Sequence, residues 1–222
     1  MLQRILFLIM PFLIGCAKEK ETQSVLRYGQ HERQVMTYQL TGETCCLFVH
    51  GGAWVSGDMS DWEYIKPLIK SRGYSYAAMN YRFLPATSDS MLEDITNAIA
   101  ALKSMGIKRV WLVGQSAGTN IVLNYASKNR VEGVICVATI SNTNDWLCSK
   151  LLGVARTYGD VNVSDHKFDC PVTLIHYKDD TIVHYKQSEV MVGNGAKLIT
   201  LQGDLHCPPS QVTEDLLFQI IR

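Results

Sequence analysis

Continuous apolar runs of strand length, each followed by a stretch of helical spacing, constrain this chain more than any other feature. The runs "TCCLFVH" (44–50), "YSYAAMNY" (74–81), "KRVWLVG" (108–114), "VEGVICVAT" (131–139), "PVTLIHY" (171–177) and "AKLITL" (196–201) show little polar alternation. That pattern belongs to strands buried on both faces. Helical spacing occupies 61–73, 90–106, 117–129, 184–192 and 209–221. In the first of these, Pro67 must kink the helix or delay its start, and Gly73 stops it. In the second, Ser90 and Glu93 predict a capping box. Residues 25–40 carry β-favouring side chains around "GQHE" and predict two short starting strands. Regular alternation of strand and helix gives an α/β fold, a mostly parallel central sheet with helices on both faces. Ligands of such sheets bind at the carboxyl ends of the strands. With 222 residues, 47% of them hydrophobic, the chain suits one such domain. A formal net charge of zero leaves no electrostatic footprint for nucleic acid.

The opening "MLQRILFLIMPFLIGCAKEK" is a segment of another kind. Arg4 precedes a short apolar stretch, Ile5 to Ile14, interrupted by Pro11. At ~1.5 Å per residue this stretch covers roughly half a bilayer core, too little for a membrane-spanning helix. It reads as a secretory signal; an ordinary signal peptide or a buried N-terminal helix are the alternatives. The ending Leu13-Ile14-Gly15-Cys16 resembles the lipobox of bacterial lipoproteins. That resemblance implies a signal peptide over 1–15, lipidation of Cys16, a polar tether over 16–23 and the folded domain over 24–222. It also implies an extracytoplasmic, membrane-anchored location. Ala17 stands where many lipoproteins kept on the inner membrane have aspartate, which favours the outer membrane.

Of the other cysteines, Cys45, Cys46 and Cys136 fall in apolar runs and read as small buried hydrophobes. Cys148 and Cys170 lie in a polar connection where a disulfide is an option. No Cys/His spacing indicates a metal site.

Ser116 stands in Gly114-Gln115-Ser116-Ala117-Gly118, where a strand passes straight into a helix. So abrupt a turn strains the backbone at the central residue, and small neighbours let strand and helix pack closely around it. The turn lifts the hydroxyl above the sheet edge at the positive end of a helix. A helix-capping serine in a tight turn is the alternative. A second glycine motif, His50-Gly51-Gly52-Ala53-Trp54, follows another buried run. The N–H groups of Gly52 and Ala53, with that of Ala117, are candidates to hold a developing oxyanion. His50 is expected to orient this loop, and Trp54 to pack or to touch substrate.

His-Gly-Gly-Ala-Trp, "NYRFLP" (80–85), "LED" (92–94) and Gly-Gln-Ser-Ala-Gly together resemble the α/β-hydrolase family over about residues 44 to 210. The nearest branches are hormone-sensitive-lipase-like esterases and arylformamidases. Arg82-Phe83-Leu84-Pro85 approximates the branch's Arg-Leu-Ala-Pro, and Thr119 replaces a frequent second glycine after the serine turn. The resemblance implies a triad in the chain order serine, acid, histidine. His176-Tyr-Lys-Asp-Asp180-Thr-Ile-Val183 fits the family's His-Gly-x-x-Asp-x-x-Val apart from Tyr177 and selects Asp180, with Asp179 as the alternative. Of six histidines, His206 alone combines a late position with a loop after the last strand. Ser116 would then be the nucleophile, His206 the base and Asp180 its orienting partner, with no cofactor and no metal.

Only about thirty residues (141–170), among them Trp146, Leu147, Leu151 and Leu152, stand where relatives insert a lid. A minimal lid implies an open, shallow pocket that favours short-chain esters. Formamide hydrolysis of the arylformamidase type and a non-catalytic lipoprotein scaffold are the competing readings.

Overall fold

The computed structural model describes residues 24–145 and 153–221. The expected signal peptide, Cys16, the tether and Cys148 lie outside the described residues, as do Trp146, Leu147, Leu151 and Leu152.

Eight strands form one sheet: β1 (Ser24–Arg27), β2 (Val35–Gln39), β3 (Thr44–Val49), β4 (Ser75–Met79), β5 (Arg109–Gln115), β6 (Gly133–Val137), β7 (Val172–Tyr177) and β8 (Lys197–Leu201). Their spatial order is β1-β2-β4-β3-β5-β6-β7-β8. β2 runs antiparallel to both β1 and β4, and every pair from β4 to β8 is parallel. Two reversals restore the direction, so β1 points the same way as the parallel strands. The connection from β1 to β2 therefore lies at their carboxyl ends.

The helices are α1 (Lys66–Ser71), α2 (Ser88–Ser104), α3 (Ala117–Ala126), α4 (Val154–Tyr158), α5 (Lys186–Val192) and α6 (Ser210–Ile220). Period-two alternation within the apolar runs divides the core between the faces of the sheet. Cys45, Leu47 and Val49 of β3 join α2 and α3, whereas Cys46 and Phe48 face Trp62 and Ile65. On that second face Phe48 packs against Trp62 at 5.0 Å and Tyr76 at 5.4 Å between ring centroids. The other central strands split in the same way, Leu112 and Cys136 to one side, Val113 and Ile135 to the other. A sheet clothed on both faces needs such two-sided strands, which is why their sequences are continuously apolar.

Cys45, Cys46 and Cys136 are buried, and burial pushes their thiols up, Cys46 to about 12. They pack as hydrophobes. Cys170 carries a free thiol.

Two helix starts differ in detail from the sequence expectation. Pro67 delays α1: a 3₁₀ turn over Met59–Ile65, capped by Asp58, comes first, and Pro67 sits in the opening turn of the α-helix. A missing N–H costs nothing there. α2 starts earlier than predicted, and its cap is Thr87, whose hydroxyl accepts from Ser90 N. Glu93 forms no capping box with Ser90; it pairs with Arg82 at 2.8 Å. Among the described residues no helix is long and apolar enough to cross a membrane.

Candidate active site

Ser116 follows the last residue of β5 and precedes the first of α3, at φ +49° and ψ −120°. This left-handed geometry is costly for a residue with a side chain and persists only where its surroundings over-determine it. The glycines on either side explain how it is held. A Cβ on Gly114 would lie 2.7 Å from the Gly118 carbonyl oxygen, and one on Gly118 only 2.4 Å from that of Val49. Only hydrogen fits in either gap. Ser116 makes no capping hydrogen bond to its helix, so its hydroxyl is left for another partner. Thr119, where relatives often have glycine, fastens the turn: its hydroxyl donates to the Ser116 carbonyl at 2.6 Å and accepts from Ile140 N at 2.8 Å.

That partner is His206, whose Nε2 lies 2.9 Å from Ser116 Oγ. His206 Nδ1 lies 2.8 Å from Asp180 Oδ2. Asp180 in turn accepts through Oδ1 from the N–H groups of Ile182 and Val183, at 2.8 and 3.0 Å. Ser116, Asp180 and His206, 90 residues apart at the widest, thus form one hydrogen-bonded chain. The runner-up, Asp179, is exposed and takes no part in it.

Burial alone would raise the Asp180 carboxyl. Hydrogen bonds from His176, His206 and the two backbone N–H groups outweigh it and hold the group well below the usual carboxylate range. Burial works against protonating His206, but the bond to Asp180, with Cys207 alongside, outweighs it and lifts the imidazole to about 9. An ionised acid beside a histidine of raised basicity is the arrangement that draws a proton from a hydroxyl.

The glycine loop after β3 lies against this chain. A Cβ on Gly51 would sit 3.1 Å from Ser116 Cβ. Gly52, Ala53 and Trp54 take three successive positive φ angles, +101°, +52° and +60°. Among the described residues no acceptor takes the N–H of Gly52, Ala53 or Ala117. Gly51, Gly52, Ala53, Ser116, Ile182 and His206 line a common open cleft of 410 Å³.

A family model, the alpha/beta hydrolase fold, matches residues 47–156. The chain has the α/β-hydrolase fold. Among solved structures it is similar to an esterase B of Lactobacillus rhamnosis inhibited by a tributyrin phosphonate. That pair has a TM-score of 0.65 and 21% identity, covering 82% of this chain and 74% of the other. Esterase 2 of Thermogutta terrifontis, phosphonylated by sarin, is similar at TM-score 0.72 and 16% identity, with 91% and 96% covered. A putative thioesterase of Silicibacter sp. gives 0.68 and 19%, with 84% and 79% covered. No curated protein matches significantly.

In this α/β-hydrolase fold the serine turn and the glycine loop end neighbouring parallel strands, β5 and β3. Trp54 is fully buried, its ring 4.9 Å from that of Tyr158, so it packs the loop from beneath. Two contributors escaped the sequence. His176 is more than a strand residue: its Nε2 approaches Asp180 Oδ2 at 3.2 Å and the Val183 carbonyl at 3.0 Å, while Nδ1 lies 2.7 Å from Ser188 Oγ. Two acceptors at Nε2 place the proton there, leaving Nδ1 to accept from the serine. The histidine four residues before the acid, at a strand end, is the signal that was available. Arg33, which meets His50 Nε2 at 3.2 Å, left none: it comes from a polar hairpin loop with no motif.

Proposed function

We propose that this protein hydrolyses carboxylic esters through an acyl-enzyme, with Ser116 as nucleophile, in the manner of the hormone-sensitive-lipase-like branch. The observation that carries this reading is the continuous hydrogen-bonded chain from Ser116 Oγ through His206 to Asp180, with Ser116 raised on a strained turn at the sheet's carboxyl edge. His206 Nε2 takes the hydroxyl proton as Oγ attacks the ester carbonyl carbon. Asp180 keeps the proton of the neutral ring on Nδ1 and stabilises the imidazolium that forms. The N–H groups of Gly52, Ala53 and Ala117 take the negative oxygen, each donor contributing ~3 kcal/mol to the transition state. Imidazolium then protonates the departing alkoxide. Water, deprotonated by the same histidine, releases the acid and restores Ser116.

The cleft is open, and the described part of the connection after β6 contributes only the five-residue helix α4. Short acyl chains should therefore turn over fastest. A fluorophosphonate probe labelling the wild type but not Ser116→Ala is the expected result, and equal labelling of both removes Ser116 as nucleophile. Acetyl and butyryl nitrophenyl esters should outrun palmitoyl. N-formylkynurenine tests the formamide alternative: turnover of that amide above the esters would displace the ester reading. We also infer lipidation of Cys16 and an extracytoplasmic, outer-membrane location from the lipobox-like sequence; Cys16→Ser should release the protein from the membrane fraction.

A further inference from the structure

The glycine loop after β3 is an improbable piece of backbone. Three consecutive residues are left-handed, and two of them, Ala53 and Trp54, carry side chains. A left-handed residue with a Cβ costs roughly 1–2 kcal/mol, so the loop relaxes unless something outside it prevents this. Its own hydrogen bonds close only one turn: Val55 N and Ser56 N both donate to the Gly52 carbonyl at 3.0 Å. The ends of the loop, His50 and Gly57, must be held by other means. They do touch, since a Cβ on Gly57 would lie 2.5 Å from His50 Nδ1 and 2.6 Å from the Gly51 oxygen.

The group that ties them together comes from the connection between β1 and β2. One nitrogen of Arg33, Nη2, donates to His50 Nε2 at 3.2 Å and to the Gly57 carbonyl at 3.1 Å. Its Nε donates to the Tyr81 carbonyl at 2.9 Å, and the guanidinium lies 3.5 Å from the centre of the Phe83 ring. Arg33 always donates, so His50 Nε2 accepts and its proton resides on Nδ1, which donates to the Gly51 carbonyl at 2.7 Å. Burial depresses the His50 pKa to about 4, so the ring stays neutral beside the cation.

Arg33 is itself held in place. Gln34 donates to the buried Asp94 at 2.7 Å and accepts from His31 N at 2.9 Å, and His31 Nδ1 accepts from Arg33 N at 3.1 Å. Among the described residues no carboxylate forms an ion pair with Arg33. An arginine whose planar fork is spent on neutral acceptors at both ends of one loop serves geometry rather than charge pairing.

We propose that Arg33 is a positioning residue for the oxyanion-binding loop, clamping His50 to Gly57 so that the N–H groups of Gly52 and Ala53 stay aimed over Ser116. This rests on the ester-hydrolase reading above. It predicts a defect in the transition state and none in ground-state binding. Arg33→Met should lower kcat about 30–100-fold with KM within about twofold, since small displacements of preorganised donors have effects of that order. Affinity for a trifluoromethyl ketone, which adds Ser116 and places an oxyanion in the loop, should fall by the same factor. Affinity for the carboxylic acid product should not change. Arg33→Lys, which keeps the charge but cannot span the three acceptors, should fall between, about tenfold down. Should Arg33→Met fail to fold, by circular dichroism, the lysine variant carries the test. A folded variant with wild-type kcat and ketone affinity overturns the clamp, as does a loss that appears in KM alone. A wild-type protein that neither turns over esters nor takes the fluorophosphonate on Ser116 instead overturns the hydrolase reading, and does so before any Arg33 variant is read.

Discussion

The proton chain sets a pH dependence at the scale of single residues. As the proposed base His206 must be neutral, and its imidazole is raised to about 9. Below that value the neutral fraction falls tenfold per pH unit, so log kcat/KM should climb with unit slope and level off near pH 9. Asp180→Asn removes both the carboxylate that raises His206 and the acceptor that fixes its tautomer. Its acid limb should move to lower pH while its plateau falls by about 10⁴. A pH–rate series on the two proteins measures both, and an unshifted limb in Asp180→Asn would uncouple the pair. Cys207 also raises the histidine but takes no part in the proton chain, so Cys207→Ser should leave the plateau height intact. The two residues that sequence reading missed differ. His176 meets a carboxylate only four residues on, a spacing the sequence displays, whereas Arg33 reaches from the β1–β2 connection to the ring of His50 and no local pattern encodes that contact.

At the scale of elements, the close approach of α3 to the end of β3 depends on a missing side chain. A methyl on Gly118 would meet two backbone carbonyl oxygens, those of Val49 and His50, at 2.4 and 2.6 Å, and backbone cannot swing aside. Gly118→Ala should cost about 3 kcal/mol in urea unfolding and displace the serine turn. At Gly106 a Cβ meets nothing within 4 Å, and only the positive φ of +98° opposes it. Gly106→Ala should therefore cost less, about 1–2 kcal/mol. The start of α2 offers a second test. Thr87→Ala should cost about 1 kcal/mol as the loss of a true cap, and Ser90→Ala less. Equal costs would put the cap back at Ser90. The central strands were legible because two-sided burial writes itself as unbroken apolarity, and the edge strands β1 and β2 only through their β-favouring residues. The helix starts were legible only to within a few residues: Thr87, Ser88 and Ser90 are each competent caps, and packing of the helix against the sheet chooses among them.

For the whole molecule, topology fixes how a lipid anchor would present the site. β1 runs in the direction of the parallel strands, so Ser24 lies at the end of the sheet opposite Ser116. An anchor at Cys16 would tie that far end to the bilayer, through a tether that reaches at most ~29 Å, and turn the cleft away from the lipid. Anchored to vesicles, the protein should hydrolyse a soluble acetyl ester with the same kcat/KM as the protein lacking residues 1–16. It should leave triglyceride dissolved in the same bilayer untouched. Rapid release of fatty acid from that bilayer would overturn this orientation.

The sequence by itself determined the α/β class and the order of the elements, and, with the family's triad order, offered Ser116, Asp180 and His206 as candidates. Each of these is a local signal: apolar runs, a glycine-flanked turn, the order of residues at strand ends. Tertiary structure alone decided that Ser116, His206 and Asp180 meet in one hydrogen-bonded chain, that Trp54 is buried, and that Arg33 reaches the glycine loop. Those choices depend on which surfaces meet when residues distant in the chain pack across one sheet edge, and contact at that separation leaves no periodicity for a sequence to display.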